Sequence, residues 1–173
     1  YSMFIPNTWE VKINKIKYSI IGGGWRAEFY LIIATFVPEY FSVSCICIRN
    51  KERAKEISKK FNVTVVNSID EFKEVPADFI VNCINKDDIS ELTLSLAAEG
   101  YAVLSETPAC TSSEQAKGLL KAFNPKYKIQ IAEQFHLKPM HQAIKRIIEN
   151  GIIGNTNYIN ISVAHEYHAM SLI

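Results

Sequence analysis

The sequence predicts an α/β fold, a doubly wound parallel sheet followed by only the start of a second α/β domain. Two observations carry this. Nearly continuous apolar runs, such as Phe41–Ile48 and Asp78–Ile84, alternate with charged stretches of helical period. Strands apolar on both sides belong to a parallel sheet covered on both faces by helices. The first such run, ending at Ile20 and Ile21, stops at Gly22-Gly23-Gly24 and leads straight into a helix-periodic segment containing Phe29, Ile32, Ile33 and Phe36. That order reads strand, tight turn, helix.

Each element follows from local signals. Residues 1–16 carry no clear period, and Val11, Ile13 and Ile16 suggest a leader or a short extra strand. A strand is expected over 17–22, then a helix from Trp25 to Val37, stopped by Pro38. Phe41–Ile48 is the second strand and Lys51–Phe61 a charged helix burying Ala54, Ile57 and Phe61. Val63–Val66 is the third strand, and Ser68 caps a helical turn carrying Ile69 and Phe72. Asp78–Ile84 is the fourth strand, with a helix over Asp87–Glu99 (Leu92, Leu96 and Ala97 inward) ended by Gly100. Tyr101–Leu104 is the fifth strand, and a helix from Ser112 or Ser113 to Phe123 turns Leu119 and Leu120 inward. Tyr127–Ala132 is the sixth strand, Lys138–Asn150 a helix closed by Gly151, and Thr156–Val163 alternates as a strand. The expected boundaries are 1–16 leader, 17–150 nucleotide domain and 151–173 the beginning of a truncated second domain.

Bulk properties narrow the function. A chain of 173 residues buries one sizeable core. Its net charge of +1 offers no basic field for nucleic acid or for a membrane surface, and no apolar run is long enough to span a bilayer. Pro6, Asn7 and Glu10 break up any signal-peptide layout. Cys45, Cys47 and Cys83 fall in expected strands, where thiols pack as small hydrophobes, and no second cysteine pair stands at zinc-site spacing. These signs point to a reduced, cytoplasmic protein without a bound metal.

The glycine turn carries the chemistry. Gly22, Gly24 and Ala27 fit G-x-G-x-x-[G/A], the dinucleotide turn of the Rossmann fold. The first glycine makes the turn, the second lets backbone approach a pyrophosphate, and the small third residue lets helix pack on strand. Helix-start N–H groups then face the phosphates. Ligands of such sheets sit beyond the carboxyl ends of the strands, where Trp25, Arg26, Arg49, Asn85, Glu106 to Pro108 and Glu133 to His136 fall. Arg26 suits a phosphate, whereas Trp25 suits packing equally well. The end of the second strand is Ile48, followed by Arg49, Asn50 and Lys51, so no carboxylate repels a 2′-phosphate. Arg49 can pair with that phosphate, stack on adenine, or simply belong to a solvated turn. This favours NADP, with NAD possible.

Several stretches in order resemble the glucose–fructose oxidoreductase, inositol dehydrogenase and rhizopine-catabolism (Gfo/Idh/MocA) family. They are Ile21–Ala27, Asn50–Ala54, Val81–Asn85, Ala98–Pro108, Glu133–Pro139 and Ile147–Gly154. The resemblance implies an N-terminal nucleotide domain and a C-terminal domain that holds substrate and usually the oligomer interface, giving a homo-oligomer. It implies Asn85 on the nicotinamide side, with a strand-end cap as the alternative, and a cis Thr107–Pro108 bond. Where the family carries Glu-Lys-Pro, this sequence has Glu106-Thr107-Pro108, and Thr107 cannot titrate usefully near neutral pH. Proton transfer then falls to histidine. His136 stands where many relatives carry Arg, and also suits a junction histidine bonding backbone. His168 matches the family's catalytic His, with Ala164 in place of its Asp. His165 and His168 lack a third metal ligand, and His141 is expected at the surface. The implied activity is hydride transfer between a nicotinamide and a carbonyl or imine carbon of a small substrate; relatives act on sugars, polyols, bile-pigment precursors and thiazolinyl imines. The rival reading is a non-catalytic nucleotide-binding sensor or subunit, favoured by Thr107. A weaker third is a binder of nucleotide sugars or adenosyl cofactors.

Overall fold

The computed structural model describes residues 14–163 and 166–173. Its six strands form one parallel sheet in the order β3-β2-β1-β4-β5-β6. They are β1 Ile16–Ile21, β2 Phe41–Cys47, β3 Val65–Val66, β4 Phe79–Asn82, β5 Val103–Ser105 and β6 Ile129–Ile131. The order reverses between β1 and β4, which opens a crevice at their carboxyl ends.

Period-2 alternation divides the core into two layers. Tyr18, Ile20, Ile46, Ile48, Val81 and Cys83 face one side. There they meet Ala27, Tyr30 and Leu31 of α1 (Trp25–Phe36) and Ala54 and Ile57 of α2 (Lys51–Phe61). Ile21, Cys45, Cys47, Ile80 and Val103 face the other. That side is covered by Phe72 of α3 (Ile69–Lys73) and by Leu96 and Ala97 of α4 (Ile89–Ala98). Both faces are therefore dry, which is why the strands read as continuous apolar runs. Cys45, Cys47 and Cys83 are buried packing residues, as expected, whereas Cys110 is only partly buried.

Local signals hold where they have a specific partner. The Asn50 side chain caps α2 by accepting from the Arg53 N–H at 2.8 Å, and that of Ser68 caps α3 through the Glu71 N–H. Ser112 likewise caps α5 (Ser113–Ala122) through the Gln115 N–H. Pro139 opens α6 (Pro139–Glu149), and α7 spans Glu166–Met170.

Four expectations are corrected. Ile16 is not leader but the first residue of β1, paired with Phe41; Val11 and Ile13 lie outside the described residues. On α1, Phe29 and Ile32 are partly exposed and Phe36 is 80% exposed, while Ala27, Tyr30 and Leu31 are buried. The small Ala27 is the residue that fits against the strand, and its i+3 and i+4 neighbours follow it inward. On α5, Leu119 is half-buried but Leu120 is 74% exposed, because adjacent helix positions diverge by about 100°. Residues 156–163 form no strand, since nothing among the described residues offers them a ladder partner.

Candidate functional site

Ladder hydrogen bonds run one residue past β1, β4, β5 and β6 and align their carboxyl ends. The Gly22 N–H donates to the Cys47 carbonyl, Cys83 to Ile21, Glu106 to Asn82 and Ala132 to Ser105. Above this rim lies a cleft of about 1360 Å³. Its wall runs from Arg49 and Asn50, past Gly22 to Arg26, to Asn85, Glu106, Thr107, Ala132, Gln134 and His168.

The glycine turn is built for close approach. Gly22 has φ +131°, and a Cβ there would stand 2.6 Å from the Cys83 carbonyl oxygen, so only glycine fits. Gly24 is different. Its backbone is ordinary (φ −78°, ψ −177°), and a Cβ there would meet no protein atom within 4 Å. Gly24 is the N-cap of α1, and no side chain caps the helix. The first N–H groups of α1 are therefore orphan donors beside open space, the arrangement a diphosphate satisfies. Ala27, wholly buried, serves the turn by packing rather than by contact with a ligand.

At the β5 end, Glu106 is 6% exposed and forms an ion pair with Arg26 Nε at 2.8 Å. The Tyr30 hydroxyl donates to the same carboxylate at 2.6 Å. Arg26 thus lines the cleft while its charge is held by Glu106 and its plane lies near the rings of Trp25, Phe29 and Tyr30. Trp25 is 74% exposed and is no core residue. Burial, reinforced by the Glu106 bond and charge, drives the Tyr30 phenol far above its ordinary value. Burial first, and then the Glu106 charge, pushes the Cys83 thiol up to about 12, so it stays protonated and unreactive. The Thr107–Pro108 bond is cis, as the resemblance implied.

Asn85 caps the turn after β4. Its Oδ1 accepts from the Asp87 and Asp88 N–H groups, and its Nδ2 donates to Asp88 at 2.7 Å. It also lines the cleft. Arg49 is exposed at the rim.

The histidines separate. His168 lines the cleft, its Nδ1 2.6 Å from Glu133 Oε2 and its ring stacked on Phe135 at 4.2 Å. Burial raises the Glu133 carboxyl, but the Phe135 N–H, His168 and the Gln134 N–H outweigh it and hold the group below its ordinary range. His136 sits on a 3₁₀ turn, Phe135–Leu137, and is not among the residues lining the cleft; its carbonyl accepts from Gln142 Nε2. His141 is half-buried, not a surface residue, because its Nδ1 bonds the Phe135 carbonyl. His165 lies outside the described residues.

Residues 16–135 match the family described as "Oxidoreductase family, NAD-binding Rossmann fold", Gfo/Idh/MocA. The chain belongs to the Gfo/Idh/MocA oxidoreductases. No curated protein matches it. Among solved structures, it resembles the WlbA dehydrogenase of Bordetella pertussis in complex with NADH and UDP-GlcNAcA. That match has TM-score 0.71 and 21% identity over 82% of this chain and 44% of that one. It also resembles KijD10, a 3-ketoreductase from Actinomadura kijaniata in complex with NADP and TDP-benzene (TM-score 0.65, 22% identity, 82% and 44% covered). A third is scyllo-inositol dehydrogenase from Lactobacillus casei (TM-score 0.71, 16% identity, 83% and 44% covered). At these identities the likeness shows the shared fold, and this Gfo/Idh/MocA chain spans less than half the length of each.

Three residues of the candidate site, Arg53, Glu28 and Tyr30, were not singled out from sequence, and the strand-end candidate Glu133 was not given its partner. Arg53 and Glu28 bracket the glycine turn, Tyr30 holds Glu106, and Glu133 holds His168. Tyr30 had one available signal, since a buried tyrosine hydroxyl needs a partner. The others are partnerships across 25 to 35 residues of sequence, which no local pattern announces.

Proposed function

We propose that the chain binds NADP(H), and NAD(H) less tightly. Hydride then passes between the nicotinamide C4 and a carbonyl or imine carbon of a small, sugar-like or imine substrate. The carrying observation is the uncapped α1 start beside the open face of Gly24, in a cleft also lined by Arg49 on the β2 side and by Glu106, Thr107 and His168 on the other. The nicotinamide supplies the hydride chemistry when bound. The protein's part is to grip and orient. Backbone N–H groups of the turn take the diphosphate, and Arg49 takes the ribose side, where Ile48 offers no competing carboxylate. Asn85 and Glu106 flank the reacting end, with Arg26 held against Glu106.

His168 is the group for the substrate proton. Its contact with Glu133 fixes the ring, and the carboxylate stabilises the imidazolium that a proton transfer would form. Thr107 offers a neutral hydroxyl that can donate or accept a hydrogen bond but carries no charge. His136 stands second, away from the cleft wall. A similar dehydrogenase in complex with UDP-GlcNAcA supports a sugar-like substrate. The test is titration with NADPH and NADH, followed by turnover on carbonyl, imine and polyol substrates with H168A, H136A and wild type. Tighter NADH binding rejects the cofactor preference, and unchanged turnover in H168A rejects the proton assignment.

One observation favours a second reading, a nucleotide-binding subunit without turnover. Thr107 brings no titrating group, and the cation nearest Glu106 is committed to it. Saturable NADPH binding without turnover on the same panel selects it.

A further inference from the structure

The residue that stands out beyond this reading is Arg53, in the first turn of α2. Its Nε donates to the Gly23 carbonyl at 2.8 Å. One terminal nitrogen pairs with Glu28 of α1 and the other with Glu56 at 2.8 Å. Lys60 pairs with the second oxygen of Glu28, and Asn50 caps the Arg53 backbone N–H. All three guanidinium nitrogens are thus engaged by protein, and one of them acts on the nucleotide turn itself.

The consequence follows from peptide geometry. In a planar trans peptide the C=O and the following N–H point in opposite directions. Fixing the Gly23 carbonyl toward α2 therefore fixes the Gly24 N–H away from α2. Gly24 has no side chain, and a Cβ there would meet no protein atom within 4 Å, so no side-chain packing holds that plane. A glycine peptide left to itself samples a wide φ/ψ range. The fork geometry of arginine, with one nitrogen on the carbonyl and two on carboxylates, sets both position and orientation.

We propose that Arg53 is a positioning residue that clamps the Gly23–Gly24 peptide so that its N–H is pre-aimed at the diphosphate of the bound dinucleotide. Arg53 lines the same cleft, but its three guanidinium nitrogens are engaged by protein, so its role is to act through the turn. The proposal rests on the cofactor reading above and adds to it the device that organises the turn before binding. Pre-organisation of this kind raises affinity by removing an ordering cost at the moment of binding.

The test compares a ligand that has a diphosphate, ADP-ribose, with one that lacks it, 2′-AMP. Binding of both, and of NADPH, is measured by calorimetry on wild type, R53M and R53K, with thermal melts alongside. R53K keeps a cation against Glu28 but not the forked Nε contact, so it covers the case in which R53M fails to fold. The expected result is a loss of about tenfold or more in ADP-ribose affinity in the folded variants, the effect of one charge-assisted hydrogen bond. Affinity for 2′-AMP changes by no more than about twofold, as for a contact left intact. Equal weakening of both ligands, a larger loss for 2′-AMP, or unchanged ADP-ribose binding overturns the proposal. A melt that falls while the affinity ratio stays fixed does so too, because that is the signature of a purely structural residue. If wild type binds neither NADPH nor ADP-ribose, the cofactor reading fails and takes the clamp with it.

Discussion

Replacing Gly24 with alanine separates folding from nucleotide binding. The backbone at Gly24 is in a region open to any residue, and the added methyl meets no protein atom within 4 Å. The folded state should hardly notice. Alanine is a poorer N-cap than glycine, so the cost is about 0.5–1 kcal/mol. For a chain of 173 residues that is a fall in melting temperature of roughly 1–4 °C. Binding is another matter. The methyl projects into the space where backbone must approach a phosphate, and overpacking of this kind costs about 1–3 kcal/mol, or roughly 5- to 150-fold in affinity. Gly22→Ala is the control with the opposite signature. Its methyl would lie 2.6 Å from the Cys83 oxygen, on a backbone with φ +131°. Steric overlap and backbone strain together cost about 2–5 kcal/mol, and the melt should fall by roughly 5–20 °C. The assay is NADPH titration by fluorescence on both variants, with melts. A Gly24→Ala chain that binds NADPH as well as wild type refutes the placement of the diphosphate at this turn.

Other outcomes follow from the same geometry. Tyr30→Phe leaves the buried Glu106 carboxylate without one donor and should cost about 1–3 kcal/mol by urea denaturation; a change under 0.5 kcal/mol would show that the bond is immaterial. Ile57→Ala, at a side chain with no exposed surface in the α1/α2 layer, should cost about 2–5 kcal/mol in the same experiment. The Glu133 carboxyl is depressed in the folded chain, so its contribution is present above the ordinary carboxylate range and is lost as pH falls through the lower folded value. Acid titration of stability should therefore lose a component in wild type that Glu133→Gln lacks, and identical acid limbs would count against the Glu133–His168 contact. Cys83 should resist a thiol reagent at pH 8 in the native state and react only on unfolding, since burial pushes its thiol up to about 12.

Much of this was legible without coordinates because it depends on local chemistry. The glycine run ended the first strand and opened the first helix, since few other residues tolerate the conformation at Gly22. Ser68 announced one helix, and Ser112 or Ser113 another, because a cap needs only a short polar side chain and an N–H three residues on; the Asn50 cap emerged only from the structure. The inward phase of α1 was legible only at Ala27, the small residue of the glycine turn. Phe29, Ile32 and Phe36 are apolar at helical spacing, yet it is Ala27 that approaches the strand. Residues 156–163 alternated convincingly and form no strand, because a ladder is a property of two segments and periodicity reports only one.

The candidate site divides along the same line. Sequence by itself determined the parallel α/β fold, the nucleotide turn and the set of strand ends from which a site is drawn, since each depends on residues within about one helical turn or one strand of one another. Only the tertiary structure decided which side chains meet. It joined Arg26 and Tyr30 to Glu106, Arg53 to Gly23 and Glu28, and His168 to Glu133, and it set His136 off the cleft wall. The physical reason is that charges and hydrogen-bond donors find partners through space, at about 3 Å, whatever their separation along the chain.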